Sequence, residues 1–339
     1  MPRIIEFIHF TTNFTKLQTW DIIPTEQSSL KGEKMNHIIE TQQFNREWLE
    51  NEFFPEVIKM KQRPKENSLN SLAGKEMISF FYEPSTRTRL SFELAMKRLG
   101  GQVVFSTENA KEFSSVAKGE IIEDTVRVLC GYGPDVIVLR TDQAGMAQRA
   151  ADFSTVPIIN AGDGDHQHPT QALTDIYTIY SERGRVDDTV IAMCGDLSRG
   201  RTVRSLAYLI SKFSGIKIYF ISPEAARMRD DIKEHLKENK IPFEEVADLR
   251  EIASGVDVIY DTRIQEERGA LLMKYGKTAF WTVNQEVMKM MKEDAIVMHP
   301  LPRLEEISPE VDDDARAAYF RQATNGLYVR MALLNMILG

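Results

Sequence analysis

From Lys75 onward, short apolar runs alternate with longer stretches in which apolar residues recur at helical spacing. Met77-Ile78-Ser79-Phe80-Phe81-Tyr82 reads as a buried parallel strand, broken by Glu83-Pro84-Ser85. Ser85 suits an N-cap. Leu90, Phe92, Leu94, Ala95, Met96 and Leu99 then trace one helix, which Gly100-Gly101 ends. The rhythm predicts strands at Val103–Phe105, Asp135–Leu139 and Val156–Ile159, and helices at Gly119–Leu129, Ala144–Phe153 and Pro169–Glu182. A polar break at Gly184-Arg185-Val186-Asp187-Asp188 opens a second series. Its strands fall at Thr189–Met193, Lys217–Ile221, Val256–Tyr260 and Ala295–Met298, and its helices at Thr202–Phe213 and Glu224–Glu238. A long helix, Asp314 to Leu338, closes the chain.

Strand–helix alternation of this kind predicts an α/β protein of two domains, each a mostly parallel sheet flanked by helices. The active site is expected in the cleft between them, at the carboxyl ends of the strands. The length of 339 residues fits two domains of ordinary size. Residues 1 to 34 show little periodicity. They read as a poorly ordered extension or a misplaced start ahead of Met35, with a weak transit peptide as the other reading.

Composition narrows the function. A net charge of -8 argues against a nucleic-acid coat. It also means that an anionic substrate must be met by a local basic cluster. No apolar run approaches the roughly 20 residues of a membrane span, and a secretory signal is not evident, so a cytoplasmic protein is expected. Cys130 and Cys194 lack metal-type spacing and read as reduced thiols.

Chemistry concentrates where strands give way to helices. Ser85-Thr86-Arg87-Thr88-Arg89 places three hydroxyls and two guanidiniums on a helix N-terminus. Free N–H groups there favour an anion, and the helix dipole disfavours the arginines unless one binds. Arg140 ends a buried strand, so its charge points to the cleft. Ser114 to Glu120 reads, on its own, as a solvated polar loop carrying Lys118. His166 and His168 lack a third ligand of clear spacing, which disfavours a metal. His168, just ahead of Pro169, would instead donate to a carbonyl oxygen in the cleft. Gly195-Asp196-Leu197-Ser198-Arg199-Gly200-Arg201-Thr202 mimics a phosphate loop, but Asp196 would repel phosphate. Its more fitting role is to bring Arg201 to the cleft. Arg263 and Gln265 share a direction if extended and would suit a carboxylate; otherwise they belong to a solvated loop. His299-Pro300-Leu301-Pro302-Arg303 is a rigid turn, structural or functional.

Taken together, these segments resemble the aspartate carbamoyltransferase catalytic chains, from about Met35 to Gly339. The likeness rests on Phe81-Tyr82-Glu83-Pro84-Ser85-Thr86-Arg87-Thr88-Arg89, Lys118-Gly119-Glu120, His168-Pro169-Thr170-Gln171, Gly195-Asp196-Leu197, Thr262-Arg263-Ile264-Gln265 and His299-Pro300-Leu301-Pro302-Arg303. Ornithine enzymes of the wider family carry His-Cys-Leu-Pro, where this chain has Pro300 in place of the Cys. Ser198-Arg199 departs from the Lys then Tyr or His of many relatives.

The resemblance implies carbamoyl transfer from carbamoyl phosphate to the amino group of L-aspartate, a step of pyrimidine biosynthesis. Ser85, Thr86, Arg87 and Thr88 would hold phosphate. Thr88, Arg140 and His168 would polarise the carbonyl. Gln171 and the backbone of Leu301, with Pro302 beside it, would bind the carbamoyl NH2. Arg201, Arg263 and Gln265 would hold the aspartate carboxylates. Ser114 and Lys118 would enter from the neighbouring subunit of a homotrimer with shared active sites. The implied catalytic set is Arg87, Thr88, Lys118, Arg140 and His168. Residues 35–183, completed by a helix at about 319–339, would form the carbamoyl-phosphate domain, and residues 184–318 the aspartate domain. No metal or organic cofactor follows, and no nucleic-acid or membrane partner. Association with a regulatory chain or a dihydroorotase is left open. A non-catalytic paralogue serving as a scaffold is the competing reading.

Overall fold

The computed structural model describes residues 37–62, 70–264 and 280–339. The expected N-terminal extension and Gln265 lie outside them. Four parallel strands form the first sheet: β1 (Glu76–Phe81), β2 (Gln102–Thr107), β3 (Val136–Thr141) and β4 (Ile158–Asp163), in the order β2-β1-β3-β4. Five more form the second: β5 (Val190–Cys194), β6 (Lys217–Ile221), β7 (Phe243–Glu245), β8 (Val258–Asp261) and β9 (Ile296–Met298), in the order β7-β6-β5-β8-β9.

This order decides where a ligand can sit. In the first sheet the connections diverge between β1 and β3, which pair directly, Phe81 beside Arg140. In the second they diverge between β5 and β8, with Cys194 beside Asp261. Crevices open at such switch points, past the carboxyl ends of the strands. The segments after β1, β5 and β8 are the Ser85, Gly195 and Thr262 motifs.

Helices bind the two sheets into one core. Leu173 and Ile176 of helix Pro169–Arg183 pack with Val203, Leu206 and Leu209 of helix Arg201–Ile210. Helix Tyr319–Leu338 lies on Pro169–Arg183, Thr86–Arg98 and Phe54–Gln62. It brings Val329, Leu333 and Leu334 to that core.

Several boundaries differ from expectation for local reasons. The closing helix starts at Tyr319 rather than Asp314. Asp314 instead makes a turn, accepting from the Arg316 N–H, and Ala317 bridges to Val297 of β9. The stretch expected as one helix from Glu224 splits into a 3-10 turn, Glu224–Ala226, and a helix, Asp230–Glu238. Strand β7 was not signalled, because its Phe-Glu-Glu carries no apolar run; it forms at an exposed sheet edge. Helix Ile122–Gly131 begins three residues late, since Ser115–Lys118 coils as a separate 3-10 turn.

Candidate active site

Helix Thr86–Arg98 starts as the sequence suggests, with Ser85 at the N-cap position. The Ser85 side chain makes no capping bond, so the first-turn N–H groups are not filled from within. Thr88 is buried, while Arg87 reaches outward. Its pKa is depressed by the atoms packed around it and further by the Arg263 guanidinium. Arg87 from the first sheet and Arg263 from the second therefore feel each other's charge across the cleft.

Arg89 behaves differently from the expectation that two arginines await an anion. It is paired within the chain, donating to Glu93 at 3.1 Å, Ser106 at 2.9 Å and Glu108 at 3.3 Å. These carboxylates, not a ligand, offset its unfavourable place near the helix N-terminus. The Thr86 hydroxyl also donates to Glu108, at 3.1 Å. Its backbone N–H is then the donor it can offer an anion.

Deeper in the cleft, Arg140 at the end of β3 donates to the Ala161 carbonyl at 3.1 Å. Arg201, the first residue of its helix, donates to the Gly164 carbonyl. One oxygen of Glu83 lies 3.3 Å from Arg201 and 3.5 Å from Arg140. Gly162 makes this convergence feasible. At φ +117° it is in a conformation suited to glycine, and a Cβ there would sit 3.1 Å from the Arg201 guanidinium and 3.2 Å from that of Arg140.

His168 holds the N-cap position of helix Pro169–Arg183 and is 4% exposed. Its backbone N–H donates to Ser205 Oγ at 2.9 Å, and its ring Nδ1 is buried with no partner among the described residues. Burial drives its pKa well below 6.5, and Arg140, Arg201 and Arg330 add to the effect. The imidazole is neutral at physiological pH. His166, by contrast, pairs with Asp163 at 3.2 Å, so the two histidines do not act together. Among the described residues no group of three or more His, Cys, Asp or Glu could hold a metal ion.

The Leu301 turn is built from its own neighbours. The Leu301 N–H donates to His299 Nδ1 at 2.8 Å, which leaves the ring proton on Nε2 to donate to Glu306 at 2.9 Å. Leu301 has φ +56°, and the Leu301–Pro302 peptide is cis. In the Gly195 segment, Asp196 accepts from the Ser198 hydroxyl and the Arg199 N–H. That carboxylate occupies two of the loop's own donors. Gly195, at φ +98°, lies so close to β8's exit that a Cβ would be 1.9 Å from the Thr262 carbonyl oxygen. This contact sets where Arg263 leaves the sheet.

Ser114 and Lys118 are placed elsewhere. Ser114 caps the short 3-10 turn ending at Lys118, whose side chain is exposed. No hydrogen bond or ion pair given by the described residues joins either to the cleft. Glu83, Gly162 and Arg330 were not singled out from the sequence. Glu83 directly precedes the Pro84-Ser85 break, but only the folded chain turns it onto two arginines.

Residues 36–181 match the family described as the carbamoyl-P binding domain of aspartate/ornithine carbamoyltransferase, and residues 187–337 its Asp/Orn binding domain. Aspartate carbamoyltransferase 1, chloroplastic, of Pisum sativum is 54% identical over 90% of this chain and 79% of its own length. The catalytic subunit of Clostridium novyi is 47% identical over 89% of this chain and 98% of its own. The solved catalytic subunit of the Methanocaldococcus jannaschii enzyme superposes with a TM-score of 0.82 at 45% identity, covering 90% and 98% of the two chains. The Trypanosoma cruzi enzyme in complex with carbamoyl phosphate and aspartate gives 0.84 at 39%, covering 90% and 96%. The chain belongs to the aspartate/ornithine carbamoyltransferase family, and the relatives named here are aspartate enzymes.

Proposed function

We propose that this chain transfers the carbamoyl group of carbamoyl phosphate to the amino group of L-aspartate, releasing phosphate and N-carbamoyl-L-aspartate. The observation that carries the mechanism is a neutral, buried His168 beside Arg140 and Arg201 at the mouth of the two sheets. Phosphate is gripped by Ser85, Thr86, Arg87 and Thr88 at the open helix N-terminus. Arg201 and Arg263, with Gln265, take the two aspartate carboxylates.

The neutral amine of aspartate attacks the carbamoyl carbon, forming the new N–C bond. Negative charge gathers on the carbonyl oxygen, where Thr88, Arg140 and a ring N–H of His168 stabilise it. The C–O bond to phosphate then breaks. Phosphate leaves with the electron pair and takes the proton that the amine loses. No protein nucleophile is needed, and orientation and charge stabilisation do the chemistry.

The shared-site trimer belongs to the same proposal. Among the described residues, Ser114 and Lys118 are on a turn with no bond to their own cleft, and Phe105, Phe113, Ile121 and Tyr132 leave apolar surface exposed nearby in sequence. A second copy of this chain would cover that surface and receive Lys118. No described helix is long and apolar enough to cross a membrane. The plant relatives are named chloroplastic, so the cytoplasmic expectation rests on composition alone.

The test is direct. Purified chain, carbamoyl phosphate and L-aspartate should give carbamoyl aspartate without added metal or nucleotide. Faster turnover of ornithine than of aspartate would reject the assignment. Native mass measurement of the complex from its source would identify the copy number and any regulatory chain or dihydroorotase.

A further inference from the structure

Behind the cleft, three elements meet on one fully buried carboxylate, Asp175 of helix Pro169–Arg183. Its Oδ1 accepts from Gln171 Nε2 and from Gln322 Nε2, each at 2.7 Å. Its Oδ2 accepts from the Tyr260 hydroxyl of β8, also at 2.7 Å. Gln322 in turn accepts from the His299 N–H at 2.9 Å through its amide oxygen. His299 is the residue whose ring receives the Leu301 N–H.

The chemistry of the amides makes this arrangement directional. A carboxylate can accept from the NH2 end of a glutamine, not from its oxygen. The bond from Nε2 to Asp175 fixes the amide of Gln171, and Oε1 is the acceptor that the side chain has left to offer. Gln322, with its NH2 on the same Asp175 oxygen, must offer its own oxygen to His299 and so fixes the turn that carries the Leu301 carbonyl.

We infer that Asp175 is a positioning residue for the carbamoyl end of the substrate: it sets Gln171 Oε1 directly and the Leu301 carbonyl through Gln322 and His299, so that two acceptors face one NH2 group. The inference rests on the reading that Gln171 and Leu301 receive the carbamoyl NH2. Burial pushes the Asp175 pKa up to about 7, against the pull of its three donors and of the buried Arg330 guanidinium. Protonation leaves the device intact. A proton on Oδ2 can be donated to the Tyr260 oxygen, and Oδ1 still accepts from both glutamines.

The experiment separates the carbamoyl end from the phosphate end. KM for carbamoyl phosphate and the inhibition constant of inorganic phosphate are measured for the full-length chain and three variants. Asp175→Ala should raise KM for carbamoyl phosphate roughly tenfold, the loss of about one oriented hydrogen bond. The inhibition constant of phosphate should stay within about twofold, because Ser85 to Thr88 are untouched. Asp175→Asn should recover most of the affinity, since its one oxygen can still take both glutamines while Tyr260 turns to accept. Gln322→Met, which removes one donor to Asp175 together with the link to His299 but leaves Gln171 on that carboxylate, should show the same selective loss in smaller measure, and keeps the test open if Asp175→Ala does not fold. Parallel loss of both constants in these variants, or an unchanged KM, would overturn the inference. Absence of activity in the unmodified chain would instead reject the functional reading beneath it.

Discussion

One carboxylate oxygen of Glu83 serves two arginines, Arg201 of the helix after β5 at 3.3 Å and Arg140 of β3 at 3.5 Å. Its charge is one that both guanidiniums approach. Glu83→Gln should therefore destabilise the substrate-free protein by about 1–3 kcal/mol in denaturant unfolding. Added phosphate should recover part of that loss, since it supplies the missing negative charge. A variant as stable as the parent without phosphate would show that Glu83 does not hold the pair.

Among the described residues Arg87 makes no ion pair, unlike Arg89 with Glu93 and Glu108. Arg87→Ala should lose a charge-assisted contact to phosphate of about 1.5–3 kcal/mol, a ten- to hundredfold fall in kcat/KM. Arg89→Ala should act on stability first, because its charge is already spent on Glu93 and Glu108. Kinetics of the two variants side by side decide the assignment.

The state of His168 has a consequence for stability. Its pKa is depressed in the folded protein, mainly by burial and then by the arginines. The unfolded chain then binds more protons than the folded one below the ordinary pKa of about 6.5. Its effect is to make stability fall as pH drops through that window, and to be silent above it. His168→Asn removes this effect. The stability of the variant relative to the parent should improve on going from pH 8 to pH 5. A difference independent of pH would mean that His168 takes up its proton as readily in the folded protein as in the unfolded chain.

Gly195 approaches β8 too closely for any side chain. Gly195→Ala would put a methyl group against the Thr262 carbonyl at a φ that L-residues rarely adopt. A loss of about 2 kcal/mol or more is expected. KM for aspartate should rise more than KM for carbamoyl phosphate, because the displaced strand end carries Arg263. Equal effects on both would mean that the loop does not position Arg263.

Shared sites can be tested by mixing. Lys118→Ala and His168→Ala should each be nearly inactive alone. In mixed trimers, an intact Lys118 of one chain meets an intact His168 of another, so unfolding and remixing should restore a sizeable fraction of activity. Subunit exchange is followed by a tag on one mutant. Exchange without recovered activity would mean that both residues act within one chain.

Much of this protein was legible in the chain itself. Local physics sufficed for β1, whose apolar run needs burial on both faces, and for the helix after Ser85, which is capped by position and stopped by paired glycines. The same holds for His168 ahead of Pro169 and for Arg140 at a strand end, because strand and helix boundaries are written in neighbouring residues. What the chain could not display is which distant groups become partners. Arg87 and Arg89 look alike in sequence, yet Glu93 and Glu108 claim one of them. Glu83 stands two residues before Ser85 and gains its meaning from Arg201, more than a hundred residues away. Asp175 reads as one polar position in a buried helix until Tyr260 and Gln322 arrive on it from β8 and the closing helix. Strand order decides these meetings, and strand order is a long-range property: it follows from how two sheets bury their faces together, not from the periodicity of any one segment.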